Sequence, residues 1–101
     1  MKPNKVLSYI GLSAKSGNVA SGEFSTEKAV KEGKAKLVIV AQDSSDNTKK
    51  MFTNMCEYYN VPIYFYSTKA ELGHAMGKEM RASLALLDQG LADATEKQLK
   101  Q

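Results

Sequence analysis

After Lys36 the chain runs LVIVA to Ala41, an unbroken apolar stretch rich in β-branched residues. A strand with one face in water alternates apolar and polar side chains, whereas a continuous run is expected where both faces are covered. Two later stretches, VPIYFY (61–66) and ASLALL (82–87), carry the same signal, with Pro62 kept toward the start of its run. NVAS (18–21) reads as a further short strand. Sheets covered on both sides need a helical layer above and a helical layer below.

The intervening segments supply those helices. Val6, Leu7, Ile10 and Ala14 recur at helical spacing, with Pro3 fitting a first turn and Gly17 a stop. A second helix is expected from Gly22 or Glu23 to Glu32, ended at Gly33. DSSDNT (43–48) holds helix-capping residues, Asp43 and Asp46 among them, ahead of Thr48, Met51, Phe52, Met55 and Tyr59. Thr68–Gly77 reads as a short helix and turn, and Leu91, Thr95 and Leu99 as a modest terminal helix. The expected fold is a single α/β domain over residues 1–101, built as a three-layer α/β/α sandwich. Its core spans about 6–88 and its C-terminal helix about 89–101.

Several function classes fall away. With 101 residues, 43% hydrophobic and 25% charged, one ordered domain is expected and disorder is not. Apolar runs of five or six residues are too short for a membrane span, and MKPNKVLSYIG lacks a signal peptide's apolar segment. Cys56 is the only cysteine, which excludes an intrachain disulfide and suits a reducing, cytoplasmic setting. His74 has no partner spaced to share a metal, Cys56 has no neighbouring base, and no catalytic constellation emerges. No cofactor, metal, small-molecule substrate or enzymatic activity is expected. Tyr64 and Tyr66 lie on a strand that helices should cover, so they are not expected to stack bases.

Anion binding is the chemistry that remains. The net charge is only +3, but residues 1–36 hold seven lysines against three glutamates, a local balance of +4. Such a run is equally consistent with a solvated face. A nucleotide-binding P-loop is ruled against: Gly17 and Gly22 have its spacing, yet Glu23 stands where the lysine should follow. Exposed amides near Gly22 and Glu23, the small Gly22, and the nearby Lys28, Lys31 and Lys34 suit a sugar-phosphate backbone instead.

The segments SGEFSTEKAVKEGKAKLVIVAQD, YYNVPIYFY and KAELGHAMGKEMRASLALLD together resemble the kink-turn RNA-binding ribosomal protein family of the L-seven-Ae and L-thirty-e type. The likeness is greatest to its bacterial YlxQ-like branch and covers roughly Val6 to Asp88. The L-G-x-A-x-G turn at Leu72, Gly73, Ala75 and Gly77 is its most specific part. The resemblance implies a four-stranded mixed sheet, no catalysis, and binding to a kink-turn or ribosomal RNA, with the ribosome as an expected assembly.

It also implies two contact segments. One is the helix start with Gly22, Glu23, Phe24, Ser25, Lys28 and Lys31; the other is Lys78, Glu79, Met80 and Arg81. Gly22 and Lys28 match the family's G-T-N-E-x-x-K pattern, while Glu23, Phe24 and Ser25 replace its Thr, Asn and Glu. In the family that Asn and Glu touch sheared G·A pairs. RNA binding is therefore expected to survive the departures better than kink-turn specificity. The alternative is a protein-interaction module on the same fold. Phe24 is expected in the core, with base stacking as its alternative; Met80 is expected to contact RNA, the alternative being a core position with Arg81 paired to Glu79.

Overall fold

The computed structural model describes residues 4–101; the expectation for Pro3 lies outside them. Nine elements follow in order. They are α1 (Lys5–Lys15), β1 (Val19–Ser21), α2 (Glu23–Lys31), β2 (Leu37–Val40), α3 (Asp46–Tyr59), β3 (Ile63–Phe65), α4 (Lys69–Ala75), β4 (Ser83–Leu86) and α5 (Gln89–Leu99).

The strands form one mixed sheet in the order β1-β4-β2-β3. β4 pairs antiparallel with both β1 and β2, while β3 adds parallel to β2. The two fully buried strands, β2 and β4, therefore lie in the middle. Successive side chains on a strand point to opposite faces, which divides the core in two. Leu37 and Ile39 pack with Val6 and Ile10 of α1, Leu72 of α4 and Ala92 of α5. Val38 and Val40 pack with Ala29 and Val30 of α2 and with Phe52 and Cys56 of α3. Burying a side chain such as Phe52 stabilises by about 1.5–3 kcal/mol. An α/β/α sandwich with a four-stranded mixed sheet results, as the apolar runs and the resemblance imply.

Four helices start on a side-chain cap. Asn4, Ser45, Thr68 and Asp88 accept from the N–H groups of Leu7, Thr48, Glu71 and Leu91 respectively. Each cap satisfies one of the donors that a helix start leaves unpaired. Two expected caps are corrected. Ser45, not Asp43 or Asp46, caps α3; Asp46 lies in its first turn, and Asp43 accepts from Lys69 N–H at the start of α4 (2.9 Å). That bond spans 26 positions, so a local capping pattern gives no sign of it. In contrast, α2 follows Gly22, which has no side chain to offer.

Candidate nucleic-acid interface

Ser21 ends β1, and Gly22 carries the chain straight into α2. The Gly22 N–H donates to the Ser83 carbonyl at 2.9 Å, extending the β1–β4 ladder by one residue. Its backbone sits at φ 92°, ψ 165°, a conformation that strains any L side chain. The space around it is open: a methyl group placed on its Cα would meet nothing within 4 Å. Glycine is thus required here by the turn and not by crowding.

The expectation of free amides at Gly22 is corrected by that ladder bond. The unused donors are one step further on: among the described residues, nothing accepts from the N–H groups of Glu23, Phe24 or Ser25. They carry the partial positive charge of a helix start. Glu23, exposed in the same turn, offsets part of it.

Thr26, Ala29 and Val30 form the buried face of α2. Phe24 and Lys28 each lie two residues from Thr26, about 200° round the helix, and so face away from the sheet. Phe24 is 79% exposed, which overturns its expected place in the core. Lys28 is exposed one turn along. Lys31 is tied to Glu27 by an exposed ion pair at 3.1 Å.

The second segment is held by the L-G-x-A-x-G turn. Leu72 is fully buried in the core, and Gly73 faces the returning loop. A Cβ on Gly73 would overlap the Glu79 carbonyl oxygen and stand 3.1 Å from Met80 Cα. Lys78 N–H donates to the Gly73 carbonyl (2.8 Å) and Arg81 N–H to that of Lys69 (3.0 Å), so the loop is strapped along α4. Met80 is 60% exposed, not core. Lys78 and Glu79 are also exposed. Arg81 donates from Nη1 to the Met80 carbonyl (2.9 Å); among the described residues no ion pair joins it to Glu79.

The two segments meet. Gly22 pairs with Ser83, two residues beyond Arg81, and the buried Ser83 hydroxyl donates to the buried Thr26 hydroxyl at 3.3 Å. Ser25 and Lys78 line one open cleft of about 700 Å³, together with Lys15, Ser21 and Gly77. Lys15 is an addition that the sequence pattern does not single out; only its place in the last turn of α1 hints at it. Lys15 and Lys78 bring ammonium groups to this cleft, and Phe24 and Met80 stand exposed on the two segments that border it.

Elsewhere the chemistry is structural. Cys56 is buried, and that burial pushes its thiol up to about 11, far from a reactive thiolate. His74 is exposed on α4, and among the described residues no cluster of His, Cys, Asp or Glu is placed to hold a metal. Tyr64 and Tyr66 are half-buried, with hydroxyls bonded to Glu96 (2.9 Å) and Asn4 (2.8 Å). Burial, and then Glu96, raise the Tyr64 hydroxyl above its ordinary range. Among the described residues no helix is long and apolar enough to cross a membrane.

A sequence model of the ribosomal protein L7Ae/L30e/S12e/Gadd45 family matches residues 4–96. RNA-binding protein YlxQ of Bacillus subtilis (strain 168) is 40% identical over 84 residues, covering 83% of this chain and 84% of that protein. RNA-binding protein YlxQ of Enterococcus faecium is 36% identical over 92 residues, 91% of this chain and 88% of that protein. A solved structure of a protein with unknown function from Bacillus halodurans C is similar at a TM-score of 0.94 and 30% identity, covering 98% of this chain and 100% of that one. The Giardia lamblia 15.5kD RNA binding protein shares the fold, with a TM-score of 0.80 at 22% identity over 99% of this chain and 89% of its own.

Proposed function

Because the chain belongs to the ribosomal protein L7Ae/L30e/S12e/Gadd45 family, we propose that it is a non-enzymatic RNA-binding protein that recognises a kink-turn or similarly bent RNA. The names of its bacterial relatives support RNA as the ligand. The observation that carries the reading is the shared cleft: Ser25, at the uncapped start of α2, and Lys78, after the L-G-x-A-x-G turn, line the same opening. A straight duplex holds its two phosphate ridges at a regular groove spacing, whereas a bent RNA folds backbone segments from either side of the bend onto one compact surface. Lys15, Lys28, Lys78 and Arg81 neutralise phosphates, and the amides of Glu23–Ser25 add fixed donors. The protein works in the cytoplasm and associates with the ribosome or its RNA.

The test is titration against a kink-turn RNA and a straight duplex of equal length, at several salt concentrations. Tighter binding to the bent RNA is expected. Equal weak affinity for both contradicts shape recognition and leaves only charge attraction.

A further inference from the structure

Resting on that RNA-binding reading, we propose that Phe24 is a base-stacking platform, so that the bound RNA presents an unpaired or flipped-out base at this side chain. Phe24 is 79% exposed, although the inner face of α2 is complete without it. Other exposed aromatics have companions within the protein. Tyr58 and Tyr59 pack edge to face at 4.9 Å, and Lys49 Nζ lies 6.0 Å above the Phe65 ring. Among the described residues Phe24 has no aromatic or cationic neighbour of that kind.

The surrounding charge decides what can lie on the ring. Glu23 precedes it with an exposed carboxylate, which repels phosphate. Lys28 stands one turn along the helix, and Lys78 lines the cleft with the next residue, Ser25. The RNA backbone is therefore drawn to the lysines, and the group left for Phe24 is a base. The ring has no hydrogen-bonding atom, so it reads no base-pair edge; it offers only a flat apolar face. Bases within a helix already have both faces covered by their neighbours. An unpaired or extruded base has a free face, and stacking on a ring tolerates any base identity.

The experiment uses the full chain and a bent RNA carrying 2-aminopurine, or an abasic nucleotide, at the unpaired position of the bend. Phe24→Ala is expected to keep the wild-type melting temperature, to weaken binding roughly 5- to 150-fold, and to abolish aminopurine quenching. Phe24→Trp should restore affinity. The abasic RNA should bind wild type with the same loss, and Phe24→Ala should then cost nothing more. The proposal is overturned if Phe24→Ala binds within about twofold of wild type, or if the abasic and Phe24→Ala losses simply add. Failure of the parent reading looks different. Wild type would then bind bent and straight RNA alike, and a Phe24-dependent quench of an aminopurine single strand would keep stacking alone. Binding to none of these RNAs rejects both.

Discussion

The two segments that border the cleft each depend on one glycine, and for opposite reasons. Gly22 stands in open space but at φ 92°, so it is needed for its backbone conformation. Gly73 has an ordinary helical backbone but no room, because the Glu79 carbonyl occupies the place of a Cβ. One glycine turns a strand into an uncapped helix; the other lets a loop lie flat on a helix. A glycine in a motif therefore says little until its reason is known, and the two reasons respond differently to substitution.

Gly73→Ala should have the largest effect. The obstructing atoms are backbone, so the Lys78–Met80 loop must move, at about 3 kcal/mol in denaturant unfolding and with loss of RNA affinity. Gly22→Ala meets no neighbour and should cost about 2 kcal/mol of backbone strain, leaving the loop's amide resonances in place. If the two variants disturb the same resonances equally, the distinction between them is lost. Ser83→Ala attacks the joint between the segments. Removing the donor to Thr26 should cost about 1 kcal/mol, and its effect on RNA affinity should not add to that of Gly22→Ala. Lysine substitutions should be smallest in stability and visible mainly in salt dependence. Lys28→Ala should flatten the slope of log affinity against log salt by about 0.7–0.9, as for one lost phosphate contact. Lys31→Ala should change it less, because Glu27 already holds that ammonium at 3.1 Å.

Much of the architecture was legible because both-face burial leaves a strong mark. LVIVA and SLAL are strands covered on both faces and pair with each other in register Ile39↔Leu84, whereas VPIYFY carries the same mark yet forms the edge strand β3, with Phe65 exposed. The L-G-x-A-x-G turn pointed to the right family for a reason now visible in Gly73. Less legible was anything set by distant residues. Phe24 faces water because Thr26, Ala29 and Val30 take the sheet, a choice that turns on which side of α2 the sheet lies. On α5, Ala92 is more deeply buried than Leu91, since α1 packs closely there and a small side chain fits. Gly22's own N–H is consumed by β4 through the distant Ser83 carbonyl, and spacing along the chain cannot reveal that.

The start of α2 and the loop after α4 act, on the function proposed above, as one RNA-binding surface. Amide chemical-shift mapping during titration with a kink-turn RNA tests this most directly. Resonances of Glu23–Lys28 and of Lys78–Ala82 should shift together, saturating at the same RNA ratio. Movement of one segment while the other stays at its free position would contradict it.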